Sequence, residues 1–378
     1  MMKKVTSLTS LLVAGSMLMT LFSGCGSTNQ PGGSPTGSQE TGGEGGSFLI
    51  AENNWGQGVA ALDLIESEAR YTVTSLGGEF QVYNDEFSAD KMMTNIQGML
   101  SSGADGIMYF GSVATLIPNV SQMCQQAQVP FVIFDQIPTE EAVLEQLEAN
   151  PYYVGSVGTD NYAAGANMAT RALESGCTKA LILGGAMGDP VHDARISGFT
   201  ETFEAGGGTV AGVARCDSPA DGTTKCDDLI AANPDADCIY ALTGDYATSA
   251  LTALNNHSAD MKVYASDATA NTMQDLKDGK IEVADGGTSI VTTLAGTLLV
   301  NYLKGNPIQD ADGKAPYLNT IVAFPITAEN ADDYQTYWLS GNPLTEEQLS
   351  ALCQEDTTLA DIDTFIAEYS LESIVAGH

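Results

Sequence analysis

From Ser47 onward, short apolar runs alternate with longer stretches whose apolar residues recur every three or four positions. The runs Phe48–Ala51, Phe80–Tyr83, Gly106–Phe110, Phe131–Phe134 and Tyr153–Val157 predict five buried strands. Ala180–Leu183, Val210–Ala214, Cys238–Leu242, Val263–Ala265 and Glu282–Ala284 predict a second series. Between them lie helices such as Ala89–Ser101, Tyr162–Ser175, Asp193–Ala205, Thr248–Asn256 and Thr292–Leu303. In the first of these, Met92, Met93, Ile96, Met99 and Leu100 share one face, the pattern of a core-facing helix. Continuously apolar strands joined by crossover helices make parallel sheets covered on both faces. Ten such units exceed one comfortable sheet, so the fold class is α/β, with two doubly wound, Rossmann-like parallel-sheet lobes.

Ahead of this pattern the chain changes character twice. Lys3 and Lys4 precede an apolar run from Leu11 to Phe22, and Ser23-Gly24-Cys25 follows it. The run has the length of a signal-peptide core and is short for a membrane span. Residues 1–24 therefore read as a signal peptide. Resemblance to the bacterial lipobox implies cleavage before Cys25 and lipidation of its sulfur, with Phe22 standing where leucine is usual. Acyl chains at about 0.8 kcal/mol per buried CH2 would anchor the chain to the membrane. Residues 25–46 are rich in Gly, Ser, Thr and Pro, a composition that cannot bury enough apolar surface to fold, and form a tether. The expected location is extracytoplasmic.

The formal net charge is −34, and becomes −36 once Lys3 and Lys4 are removed. That excludes nucleic acid and anionic surfaces, which need clustered Lys and Arg. After Cys25 six cysteines remain. Cys216 and Cys226 flank a loop with Pro219 and Gly222 and are candidates for a local disulfide; Cys124, Cys177 and Cys238 read as core residues. Neither metal-ligand spacing nor a cofactor motif stands out. Gly184-Gly185-Ala186-Met187-Gly188 is not GxGxxG. Asp310-Ala311-Asp312-Gly313 begins like a calcium loop but lacks the remaining ligands. His192 beside Asp193 has no nucleophile elbow to serve, and the chain is read as a non-enzyme.

In open parallel sheets ligands bind beyond the carboxyl ends of the strands. Those positions hold Asn54-Trp55, Asp135-Gln136, the loop Gly184 to Arg195 with His192, Asp245, Asp267 and Asp285. Carboxylates, amides, a guanidinium fork and an aromatic face suit a neutral polyol. Arg195 is one of only four arginines, and it begins a helix, where a cation needs a compensating partner.

Taken in order, Asn53-Asn54-Trp55, Phe131 to Asp135, Val157 to Gly165, Ala194-Arg195-Ile196-Ser197-Gly198-Phe199, Asp245 and Asp267 resemble the type I periplasmic sugar-binding proteins. The resemblance runs from about Ser47 to Thr327. It implies that Asp135, Arg195 and Asp267 bond sugar hydroxyls or ring oxygen and that Trp55 stacks on the sugar. It implies a ligand site drawn from Asn54, Trp55, Asp135, Gln136, His192, Arg195, Asp245, Asp267 and Asp285. Departures at Gln136, Gly244 and Gly286 leave the sugar open.

The resemblance also implies three crossings between lobes, near Thr159-Asp160, Gly286-Gly287 and Pro316-Tyr317, acting as a hinge. The first lobe would comprise 47–159 and 287–316, the second 160–286 and 317–378. Helices starting at Thr345-Glu346-Glu347 and Leu359 are expected to pack on the second lobe. The implied role is a monomeric receptor delivering a sugar to an ABC permease, with no cofactor. A receptor feeding a chemoreceptor or sensor kinase, and a lipid-anchored carbohydrate-acting enzyme, are the alternatives.

Overall fold

The computed structural model describes residues 47–378. The expected signal peptide, Cys25 and the expected tether lie outside the described residues. Each predicted strand forms: β1 Leu49–Asn54, β2 Glu79–Asn84, β3 Gly106–Phe110, β4 Phe131–Asp135, β5 Tyr153–Thr159, β6 Lys179–Gly184, β7 Thr209–Arg215, β8 Cys238–Ala241, β9 Lys262–Ala265 and β10 Val283–Gly286. Two further strands, β11 Tyr317–Ile321 and β12 Phe324–Ile326, were not read from the pattern. They build two six-stranded sheets, ordered β11-β5-β4-β3-β1-β2 and β12-β10-β9-β8-β6-β7. All neighbours are parallel except β10 and β12. The strand order reverses beside β1 and beside β6, so each lobe has a crevice beyond its strand ends.

Packing follows the pattern. Met92, Ile96 and Met99 of the helix Ala89–Ser101 are fully buried. The helix Ile290–Leu303 is apolar nearly all round and is buried from Ile290 to Asn301, against β3, β4, β5 and the helix Ala60–Ser75. The helices Asn161–Glu174 and Pro190–Ala205 touch backbone to backbone. A methyl at Gly165 would lie 2.1 Å from the Arg195 carbonyl oxygen, and one at Gly198 would lie 2.0 Å from that of Tyr162.

Three expectations need correction. The third crossing is not at Pro316-Tyr317. Tyr317–Ile321 extends the first sheet, where β5 needs partners along its free edge, as in Ser156 N to Pro316 O (2.9 Å) and Asp160 N to Ile321 O (2.8 Å). The chain changes lobe between Ile321 and Phe324.

Second, the C-terminal segment does not pack on the second lobe alone. It runs through Ala331–Tyr334, a wider helical turn Gln335–Leu339, then Glu346–Ala351, Leu359–Glu368 and Leu371–Gly377. Thr345 does cap its helix, sharing a capping box with Gln348. But Asn301, on the buried first-lobe helix, donates to Leu352 O at 2.9 Å, fixing this part of the segment to the first lobe.

Third, Cys216 and Cys226 are free thiols. Both are buried in the second lobe's core, and burial pushes the Cys226 thiol up to about 12. They serve as small apolar residues.

Candidate functional site

The strand ends of the two lobes face each other across a cleft of about 220 Å³, below the ~300–1,000 Å³ of drug-sized sites. Asp135 closes β4 and Asp267 follows β9, equivalent strands in the two sheets. Both residues have left-handed backbones, at φ 65° and φ 60°. Non-glycine residues there carry a cost and cluster at functional sites. Asp285 accepts hydrogen bonds from Asp267 N (2.8 Å) and Ser266 Oγ (3.0 Å), which holds the β9 turn in place. Gly244 must be small, since a methyl there would lie 2.9 Å from Asp267 O.

Arg195 sits in the first turns of the helix Pro190–Ala205 and is 4 % exposed. Asp189 caps that helix, its Oδ1 accepting from Val191 N (3.0 Å) and His192 N (3.1 Å). The guanidinium forks onto Asp267, Nη1 to Oδ2 at 3.0 Å and Nη2 to Oδ1 at 3.1 Å. Its Nε donates to Asn161 Oδ1 (3.0 Å), and Nη1 donates again to Leu242 O (2.9 Å). Of the five N–H donors of an arginine, one on Nη2 is left without a partner among the described residues. Burial opposes the charge, but Asp267 and Asp285 outweigh it and raise the pKa.

Burial pushes the Asp135 carboxyl up to about 7, against the pull of Arg195 and with Asp267 and Asp189 adding to the rise. Asp285 is raised to about 6, again by burial first. His192 accepts from Gly185 N through Nδ1 at 2.7 Å, which leaves the proton of a neutral ring on Nε2. Its pKa is lowered, chiefly by burial.

The cleft is lined by Trp55, Asp135, Gln136, His192, Arg195 and Asp267, together with Thr159 and Gly286. Trp55 meets Phe87 edge to face at 6.0 Å. Three proposed residues lie elsewhere. Asn54 spends its amide on the loop after β1, donating to Leu62 O (3.0 Å) and accepting from Gly56 N (3.0 Å). Asp245 sits one residue inside the helix Gly244–His257, and Thr243, the cap of that helix, takes the cleft position. Asp285 lies behind Asp267 as its support.

Sequence reasoning missed Asn161, Asp189, Thr243 and Thr269. Asp189 and Thr243 are helix caps and Asn161 opens its helix two residues past the end of β5, all close enough to strand ends for the strand-end rule to reach them. It also missed Tyr334, which no strand-end rule reaches. The apolar wall, Val59, Leu62, Leu64, Ile65 and Phe110, comes from the first lobe. Asp160 caps the helix Asn161–Glu174, and Gly287 has φ 83°. The close donor group Cys177, Asp237 and Cys238 lies at the opposite, amino ends of the strands. There the Asp237 carboxylate is already engaged by Thr178 and Lys179.

The family described as periplasmic binding protein domain matches residues 53–307. The ribose import binding protein RbsB of Salmonella typhimurium is 23% identical over 223 residues, 57% of this chain and 71% of that protein. Two solved structures share the fold. The periplasmic binding protein component of the arabinose ABC transporter from Shewanella sp. ANA-3 has a TM-score of 0.66 at 15% identity, covering 81% of this chain and 98% of its own. An ABC transporter periplasmic solute-binding protein from Actinobacillus succinogenes, with bound D-allose, has a TM-score of 0.68 at 18% identity, covering 76% and 100%.

Proposed function

Because the chain belongs to the periplasmic binding protein domain family, we propose that it captures a small neutral sugar in the interlobe cleft and delivers it to an ABC importer. The capture domain would be held outside the membrane by a lipid on Cys25. The observation that carries the reading is the donor and acceptor set of the cleft. The Asp135 carboxylate has no hydrogen-bond partner among the described residues, while Arg195 is locked by Asp267 with one donor to spare. An anion would meet Asp135, Asp189 and Asp267 against a single, already paired guanidinium, so charge argues for a neutral ligand. Vicinal hydroxyls can donate to Asp135 and accept from Arg195 and His192, with Trp55 covering an apolar C–H face. The ribose, arabinose and allose named for the relatives are ligands of this chemistry.

Lobe closure about the crossings would complete the site, as in other two-lobe binders, and the closed form would be what a permease reads. A thermal-shift screen of residues 47–378 against aldopentoses, aldohexoses, deoxysugars, polyols and organic acids tests the reading. A ligand at 100 times its Kd adds about 2.7 kcal/mol, which raises Tm by roughly 4 °C for a domain of this size. Sugar hits confirmed by calorimetry are the expected result. Hits among the organic acids alone would overturn the neutral-ligand reading.

A further inference from the structure

The C-terminal segment lies beyond the family match, which ends at residue 307, and the capture mechanism makes no use of it. Its contacts nevertheless fall on both lobes and on the chain that passes between them. On the second lobe, the Tyr334 hydroxyl donates to Ala268 O at 3.2 Å, and Asp332 pairs with Lys277 at 2.5 Å. On the first, Asn301 holds Leu352 O at 2.9 Å, and Asn306 donates to Gln354 O and Thr357 O at 3.1 and 3.2 Å.

The Gly286-Gly287 crossing lies in the midst of this segment's aromatic side chains. The Tyr369 hydroxyl donates to Gly287 O at 2.5 Å, and Gly287 N donates to the Tyr334 hydroxyl at 3.5 Å. A methyl on Gly287 would lie 2.2 Å from the Phe324 ring and 2.9 Å from the Tyr369 hydroxyl. Trp338 stacks on Tyr334 at 5.5 Å, and Phe324 meets Trp338 edge to face at 5.2 Å. Tyr334 reaches through to the cleft wall. Its hydroxyl is already committed, so it contributes shape there rather than a polar contact.

We infer that residues 327–378 form a strap that holds the lobes in the arrangement with a small cleft, with Tyr334 and Tyr369 as positioning residues acting on the Gly287 crossing. Opening two lobes requires the backbone of each crossing to rotate. At Gly287 the carbonyl and the N–H are both bonded to the strap, and the strap is itself fixed to the second lobe near its start, at Asp332 and Tyr334, and to the first lobe midway, at Leu352 to Thr357. Rotation there must break contacts on one side. The strap therefore shifts the unliganded population toward closure, and affinity rises in proportion to the competent fraction.

The test needs no ligand, so its outcome is independent of the sugar reading. Non-cysteine spin labels are placed at exposed Glu141 of the first lobe and exposed Asp217 of the second, and distances are measured by double electron–electron resonance. The intact chain should give one narrow distribution. Tyr369→Phe and Tyr334→Phe remove one hydroxyl each and keep the ring, so folding is retained. Each should add a longer-distance population, of about fivefold greater weight relative to the closed one. Distributions identical to the intact chain in both variants would overturn the strap, as would an intact chain already spread over long distances.

Discussion

Asp135 is the cleft residue with the most to reveal, because nothing else in the described protein bonds its carboxylate. Its pKa in the free protein is about 7, raised by burial. On the proposed reading a sugar hydroxyl would donate to the ionised form, so binding should lower that pKa and affinity should grow as pH rises from about 6 to 8. Titration calorimetry across this range should show the slope, and Asp135→Asn should abolish it and cost roughly 10- to 100-fold in affinity. Glu68 offers the matching test of stability. It is buried on the helix Ala60–Ser75, accepts from Ser289 Oγ at 2.5 Å and has a pKa raised to about 8 by burial. A raised carboxyl binds its proton more tightly in the folded state. Stability is therefore fullest below the ordinary carboxylate range and falls as pH climbs from about 4.5 to 8. Glu68→Gln keeps an acceptor for Ser289 and should flatten that decline in a Tm-against-pH series. At this scale, Arg195 and Asp267 were legible because a cation at a helix start calls for a partner. Asn54, Asp245 and Asp285 misled because a slip of two to four residues in where a strand ends or a helix starts turns a side chain away from the cleft.

Among the elements, the paired helices Asn161–Glu174 and Pro190–Ala205 set the position of the arginine. They approach so closely that Gly165 and Gly198 each face a carbonyl of the other helix. Gly198→Ala would push Tyr162 O, and with it the helix that carries Asn161. We expect about 1–3 kcal/mol of lost stability, read by urea unfolding, and weaker ligand binding through displacement of Asn161 and Arg195. Ten strands were legible from apolar runs alone, although β2 and β7, at the free edges of their sheets, are not buried as that pattern predicts. β11 and β12 were not, because an edge strand such as Tyr317–Ile321 has exposed Asn319 and Thr320 and no continuous apolar run. The same blindness misplaced the third crossing by about five residues, since lobe membership of an edge strand depends on which sheet has a free edge to offer.

At the scale of the whole molecule, two lobes of matching strand order meet across one small cleft, with Asp135 and Asp267 placed in equivalent positions on either side. Periodicity and strand-end chemistry were enough to read that plan. The bridging course of residues 327–378 was not legible, because a capping motif marks where a helix starts and carries no information about its neighbour. The chain's two tryptophans fall on either side of this divide. Trp55 is half-open at the cleft, while Trp338 is sealed in the C-terminal aromatic cluster at 1 % exposure. Intrinsic emission thus comes from two separate addresses, one open to water-borne quenchers and one shielded from them. In a Trp55→Phe chain the remaining light reports only on the seal behind the cleft, so loosening of that seal can be watched without attaching any label.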